Sequence, residues 1–187
     1  HRAPDKKDTT QIPSFKAYAS PRSEVTNRVF QYFMAGSMGL LEAVYGDFPD
    51  APNQIDGLPM NRAGETFPFS PHLQTHLSMQ YSLPLDIPGP AWLDGWITPR
   101  FDWSYQSAFH FEGPEVWSSH QPAYHLLHLR LSYQFLGDRA QVALWGQNVT
   151  DTKYLQWSMP STVSSWGNAI RFWGQPATWG GELSYRF

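Results

Sequence analysis

Apolar and polar residues alternate with a period of two along much of the 187-residue chain, the spacing of β-strands with one face in an apolar environment. In the last segment Trp179, Gly181, Leu183, Tyr185 and Phe187 fall in one set, and Thr178, Gly180, Glu182, Ser184 and Arg186 in the other. From about Ile97 to Phe111, one face takes Ile97, Phe101, Trp103, Tyr105, Phe109 and Phe111. The other takes Thr98, Arg100, Asp102, Ser104, Gln106 and His110. Leu127, Leu129, Leu131, Tyr133 and Phe135 oppose His128, Arg130, Ser132 and Gln134, and Leu73, Leu77, Met79, Tyr81, Leu83 and Leu85 oppose His72, Gln74, His76, Ser78, Gln80 and Ser82. Val142 and Leu144 oppose Gln141 and Gln147, and from about Phe30 to Tyr45 one side carries Tyr32, Met34, Met38 and Leu40. Helical spacing is rare and prolines interrupt most windows, so the pattern predicts about six strands and an all-β fold.

The connections alternate in kind. Phe135-Leu-Gly-Asp-Arg139 is a tight hairpin turn and the Pro88-Gly89-Pro90 region a slightly longer reversal. About Gly46 to Thr66, about Glu112 to Gln121 and about Asp151 to Pro176 are the other connections: the first holds four turn-type clusters, the second is short but proline-bearing, the third is rich in Ser, Trp and Gly. Short turns at one end and long loops at the other are the arrangement of outer-membrane barrels.

Composition sharpens this picture. Charged residues make up 16% and aromatics another 16%, with no cysteine and a net charge of -3. That charged fraction is well below the roughly 25% of soluble domains. The absence of cysteine excludes a disulfide scaffold and a cysteine-ligated zinc site. The near-neutral balance gives no electrostatic reason for a nucleic-acid partner. No apolar run reaches the length of about 20 residues that a membrane helix needs. The mean hydropathy of -0.45 looks soluble, yet alternation hides an apolar band inside such an average.

A period-two face can meet a protein core or lipid. Segments of about 9 to 11 residues suit a tilted strand crossing a bilayer. Aromatic residues also sit near the ends of the apolar faces, Trp96 and Phe111 around the third strand, Tyr133 and Phe135 on the fourth, Tyr185 and Phe187 on the last, as in interfacial girdles. About six strands cannot close a barrel, whose smallest bacterial examples have about eight, and open edges are not tolerated in hydrocarbon. The expectation is therefore a piece of a larger barrel. The polar start HRAPDKKDTT likewise reads as the inside of a longer protein. The other class the pattern allows is a soluble aromatic-rich β-sandwich acting as a carbohydrate-binding module.

Trp145-Gly-Gln-Asn148-Val-Thr-Asp151-Thr-Lys-Tyr154 resembles the G-x-N-L-T-D-x-x-Y stretch near the end of TonB-dependent outer-membrane receptors. Gln175-Pro-Ala-Thr-Trp-Gly-Gly-Glu-Leu-Ser-Tyr185-Arg-Phe187 resembles that family's closing strand with its terminal aromatic residue, and Gly39-Leu-Leu-Glu-Ala-Val-Tyr45 resembles a strand and loop of the same region. The resemblance implies that residues 28–187 are the C-terminal strands of a transmembrane antiparallel β-barrel of roughly 22 strands, with residues 1–27 irregular or an upstream barrel segment. It implies a bacterial outer-membrane location and transport of a ferric siderophore or similar scarce ligand, with no catalysed reaction and no cofactor. The implied partners are outer-membrane lipid, TonB acting through a plug that this stretch lacks, the remaining barrel strands of the same protein, and the barrel-assembly machinery. Tyr185 and Phe187 would form the signal that this machinery reads. Another outer-membrane barrel, such as an esterase or porin, is a further reading.

Independently of the resemblance, Asn148, Thr150 and Asp151 have short side chains that bond nearby backbone and can end a strand and start a loop. Read as a glycosylation sequon, Asn148-Val149-Thr150 is a coincidence in a bacterial protein. Arg100, Asp102, Arg130, Glu182, Arg186 and His110 are expected on the lumen face, as a cross-strand charge network or as plug contacts. Trp157, Trp166, Arg171 and Trp173 in the last long loop are the candidate ligand-contacting residues that the resemblance implies, with self-packing of the loop aromatics as the alternative. His72 and His76 lie about 13 Å apart along a strand and His125 and His128 on opposite faces, so neither pair is expected to hold a metal. No nucleophile-elbow context supports a serine hydrolase.

Overall fold

In a computed structural model that describes residues 15–19, 31–53, 56–114, 116–159 and 169–187, antiparallel pairing joins the long strands into one sheet. In chain order the strands are β1 (Phe15–Ala19), β2 (Gln31–Leu40), β3 (Ala51–Pro52), β4 (Pro59–Met60), β5 (Leu73–Leu85), β6 (Gly95–Gln106), β7 (Phe109–His110), β8 (His120–Gln121), β9 (Tyr124–Phe135), β10 (Ala140–Gln147), β11 (Leu155–Met159), β12 (Ile170–Trp173) and β13 (Thr178–Tyr185). The main sheet has seven strands in the order β1-β2-β5-β6-β9-β10-β13, and β3-β4, β7-β8 and β11-β12 are separate two-stranded ribbons. The fold is all-β, with six long strands where the alternation predicts about six. The short β1 adds a seventh inside the segment expected to be irregular or an upstream barrel segment.

Register converts the alternation into two continuous faces. Met34 pairs with Met79, Met79 with Phe101, Phe101 with Leu129, Leu129 with Gly146 and Gly146 with Trp179, so one apolar row crosses six strands. Leu83, Ile97, Tyr133, Val142 and Leu183 make a parallel row nearer the short turns. On the opposite face Gln80, Arg100 and Arg130 stand side by side. A slip of one residue in any strand would exchange these sets, and no such slip interrupts the main sheet.

Two expectations are corrected by this register. Trp96 pairs with Gln134 and Pro84, which places it on the polar face and not at the apolar rim. Phe109, His110 and Phe111 do not extend β6. Pairing in the main sheet stops at Gln106, and Phe109 and His110 pair instead with Gln121 and His120 in the β7-β8 ribbon. Phe111 is buried within the loops rather than facing outward. The physical reason is that alternation can continue through a stretch whose partner strand has ended, since β9 begins only at Tyr124.

The short connections lie together at one end of the sheet. Residues 136–139 turn through left-handed conformations at Leu136, Gly137 and Asp138. Residues 86–94 contain a single 3-10 turn, Ala91–Leu93. Leu136 N–H donates to Trp92 O at 3.1 Å and the Tyr133 hydroxyl donates to Leu93 O, binding the two turns to each other. The described parts of residues 41–72, 107–123 and 148–177 form the other end. There Phe69 N–H donates to His110 O at 2.8 Å, Leu155 N–H to Gln121 Oε1 at 2.7 Å, and Ser158 Oγ to Ser118 O at 3.3 Å.

The buried residues show where the core sits. Ala51, Phe111, Val116, Ser118, Ser119, Gln121, Asn148, Leu155 and Ser158 are all in or beside these long loops. The sheet itself has an apolar face that nothing among the described residues covers. Met34, Met79, Leu131, Val142, Leu144 and Leu183 are exposed there, Leu144 at 63% and Leu183 at 77%.

Candidate functional site

Three groups of residues carry the chemistry of this molecule: a polar network on one sheet face, a latch at the root of the last loop, and an aromatic ribbon beyond it. The network begins at Asp102. Arg100 engages it through two hydrogen bonds, Nε to Oδ2 at 2.7 Å and Nη2 to Oδ1 at 2.9 Å, while Ser78 Oγ donates to Oδ1 at 2.6 Å. Such bidentate pairing is the stronger geometry for an arginine and a carboxylate. Arg130 reaches across β10 to Glu182, 2.8 Å away. Gln134 Nε2 donates to Gln141 Oε1 at 3.1 Å, and the Ser82 and Thr98 hydroxyls meet at 2.9 Å. Of the six residues expected on the polar face, Arg100, Asp102, Arg130 and Glu182 are drawn into these pairs. His110 stands apart in the β7-β8 ribbon.

The latch is built from the motif residues. Asn148 follows the last residue of β10 and adopts a left-handed conformation, φ 47°, which asparagine tolerates better than most residues. Its amide nitrogen donates to Thr152 O and to Gln175 O, both at 2.9 Å, and its Oδ1 accepts from Thr152 N–H at 3.0 Å. Asp151, also left-handed, accepts from Ala177 N–H at 3.0 Å. The Thr150 hydroxyl meets that of Thr152 at 2.9 Å. Residues from the start of the loop therefore hold its end, closing residues 148–177 at the neck. Tyr154 completes the latch by stacking on Tyr124, with ring centres 4.8 Å apart and planes 15° from parallel. Gly174 lies against the Tyr154 ring so closely that any side chain there would collide with it.

Beyond the latch, β11 and β12 form an irregular ribbon with a register shift between Leu155 and Trp157. Trp157 sits opposite Phe172, ring centres 5.5 Å apart, and Ser158 opposite Arg171. Leu155 and Ser158 point inward and are buried, which leaves Trp157 at 40% and Trp173 at 58% exposure. Arg171 is exposed as well. The ribbon thus gathers Trp157, Arg171 and Trp173 on one element. Trp166 lies outside the described residues.

A cleft of about 150 Å3 opens among the loops between Tyr45, Phe48, Arg62 and Pro68. Tyr45 packs edge-on against Phe67 at 4.2 Å between ring centres. The Arg62 guanidinium donates to Glu65 at 2.9 Å. At the opposite end of the sheet Tyr185 and Phe187 contact each other edge to face, ring centres 5.3 Å apart, and both are exposed.

The pairing of His110 with His120 is the feature that sequence reading missed. Ten positions separate the two, and the signal that could have found them is the Gly-Pro-bearing reversal between, which folds one onto the other.

Comparison with protein-family models, with curated proteins and with solved structures finds no match to this chain.

Proposed function

We propose that this chain is the C-terminal part of an outer-membrane β-barrel that imports a scarce ligand, a ferric siderophore or similar chelate. The observation that carries this reading is the apolar sheet face. It runs across six strands, is exposed on β2, β10 and β13 and half-exposed along β6, and lies opposite a face whose charges and amides satisfy one another. In water such a face would be an association or aggregation surface far larger than soluble monomers tolerate. Lipid is the medium that suits it.

The ends of that face support the same reading. Tyr32 and Tyr81 pair directly near the short turns, joined there by Tyr133, Phe135 and Tyr185. Trp103 and Tyr105 stack at the loop end, with Trp179 on the last strand. Between the two belts stand mainly Met, Leu and Phe. On β9 the span from His125 to Phe135 is about ten steps of roughly 3.3 Å, and a tilt of about 40° projects it to about 25 Å, the height of the apolar band of such barrels. The motif residues Asn148, Thr150, Asp151 and Tyr154 support the receptor family within that class, because they close a long loop at the end where ligand capture is expected. Energy transduction through TonB and the plug belongs to parts of the protein beyond these strands, as do the strands that complete the barrel.

These 187 residues contain no cysteine, so a direct test needs only a full-length protein from which any cysteines outside them have been removed. Single cysteines at Leu131 and Ser132 in the full-length protein, spin-labelled in liposomes, should report a lipid-soluble relaxant at Leu131 and a water-soluble one at Ser132. Equal accessibility of both to the aqueous relaxant would overturn the membrane reading. Loss of growth on a ferric chelate when the gene is deleted, with restoration by the full-length gene, tests the transport step.

A further inference from the structure

The cleft in the loop cap is lined mainly by apolar residues, Tyr45, Phe48, Ala51 and Pro68 among them, and backbone hydrogen bonds fix its frame. Tyr45 N–H donates to Glu65 O at 2.9 Å, Gly64 N–H to Tyr45 O at 2.9 Å, Arg62 N–H to Phe48 O at 3.1 Å and Phe67 N–H to Ala43 O at 3.1 Å. Val44 and Thr66 form a β-bridge between the same two stretches. Residues 43–48 and 62–67 are thereby held side by side, with Ala51 fully buried on the lining. The cleft exists before a ligand arrives, as small-molecule sites usually do.

Size, wall chemistry and charge each narrow the occupant. An apolar space of about 150 Å3 holds one benzene-sized ring. Tyr45 meets Phe67 edge-on, ring centres 4.2 Å apart, and its centre lies 5.9 Å from that of Phe48 with the planes at 31°. Aromatic rings favour such offset and edge-to-face contacts, so a ring in the cleft would join an existing cluster. Phe48 is 44% exposed, which leaves ring surface for a ligand to cover.

The charge balance disfavours an anion. The Arg62 guanidinium donates to Glu65 at 2.9 Å, so its charge is already offset beside the cleft. Over residues 41–72 the loop carries Glu42, Asp47, Asp50, Asp56 and Glu65 against Arg62. Asp47 and Asp50, both exposed, stand on either side of Phe48 in the chain. A carboxylate or phosphate brought here would meet like charge, and an uncharged ring would not. We propose that the cleft binds one uncharged monocyclic aromatic compound, about the size of a simple phenol, by packing its ring against Phe48 and Tyr45. The site lies in the loop cap and stands whether or not the sheet faces lipid.

Fluorine NMR of para-fluorophenol titrated into the full-length protein in detergent micelles, with empty micelles as reference, should show saturable binding. The charged analogue para-fluorobenzoate should bind at least tenfold more weakly. Phe48→Ala should weaken para-fluorophenol binding fivefold or more, the loss typical of an aromatic contact that matters, and Phe48→Tyr should restore it. Trp173→Ala, in the separate β11-β12 ribbon, should leave it unchanged. If Phe48→Ala loosens the loop, seen as faster proteolysis within residues 41–72, Phe48→Leu decides, because it keeps the apolar bulk and removes only the aromatic ring. Absence of saturable binding above the micelle reference overturns the site. So does undiminished affinity in the folded Phe48 variant, or equal affinity for para-fluorobenzoate.

Discussion

Trp145 lies directly across from Gly180, and its ring covers the place where a side chain at Gly180 would begin. One residue along, the relationship is inverted: Trp179 covers Gly146. Because successive side chains point to opposite faces, the first pair lies on the polar face and the second on the apolar face. Each tryptophan shields the backbone that its glycine partner leaves bare, an arrangement known to pin register between strands. The two pairs sit at the loop end of the β10-β13 ladder, immediately before the Asn148 latch, so strand register and loop closure are fixed at one place.

Gly180→Val should therefore cost about 1–3 kcal/mol, the usual range for overpacking, because the tryptophan must leave its rotamer. Unfolding of the detergent-solubilised protein in urea measures this. Gly39→Val is the control, since a side chain at Gly39 would meet nothing within 4 Å.

The two faces of β9 should respond oppositely to charge. Leu129 stands in the middle of the apolar row, and Leu129→Arg should destabilise a complete barrel by about 2–4 kcal/mol, the cost of arginine near the bilayer midplane. Ser132→Arg, directed to the face that already carries Arg100 and Arg130, should cost much less. Unfolding titrations in lipid vesicles compare them, and equal costs would contradict the assignment of the faces.

Asn148 is buried and makes three side-chain hydrogen bonds. Asn148→Ala should destabilise the loop root by about 2–4 kcal/mol, since it leaves the Thr152 and Gln175 carbonyls without their donor. Limited proteolysis should then cut residues 149–174 sooner, with the strands still protected. Asn148→Asp keeps the acceptor for Thr152 N–H but sets a buried carboxylate oxygen against the Thr152 and Gln175 carbonyls, and should cost at least as much as alanine.

Tyr154 and Gly174 should behave as one unit. Gly174→Ala forces a methyl group into the Tyr154 ring and should be destabilising alone, yet nearly neutral in a Tyr154→Ala background where the ring is gone. A double-mutant cycle with an interaction energy of about 1 kcal/mol or more is expected, whereas additive effects would separate the two residues.

These residues also show how far the sequence could be read. Alternation on β5, β9 and β13 assigns the faces correctly because every position of those strands is paired with at least one neighbouring strand, and Asn148, Thr150 and Asp151 declare a strand end through their local hydrogen-bonding chemistry. Trp96 and Phe111 depart from the places their sequence suggests, for different reasons. Trp96 is large and apolar, but its parity with Thr98 and Arg100 puts it on the polar face, a case where hydrophobicity and period disagree. Phe111 keeps the parity of β6, but pairing ends at Gln106 because the neighbouring strand has not begun. Strand length is a property of two chains segments at once, and one segment read alone cannot supply it. The His110–His120 pair is hidden for the same reason, since it exists only after the chain reverses between them.

Trp173 separates binding from stability in the last loop. Its ring is 58% exposed, whereas Trp157 packs against Phe172. Removal of Trp173 therefore leaves little buried surface unsatisfied, and Trp173→Ala should unfold with the parent protein. If the ribbon contacts a ferric chelate, the same substitution should weaken binding about fivefold or more, the loss typical of an aromatic residue that matters at an interface. Trp157→Ala should reduce both binding and the resistance of the loop to proteolysis. Equilibrium fluorescence quenching by the chelate, measured on folded full-length protein, compares the three. Unchanged affinity in Trp173→Ala would restrict the role of the ribbon to packing of the loop and move the ligand contacts to the cleft beside Tyr45 and Phe48.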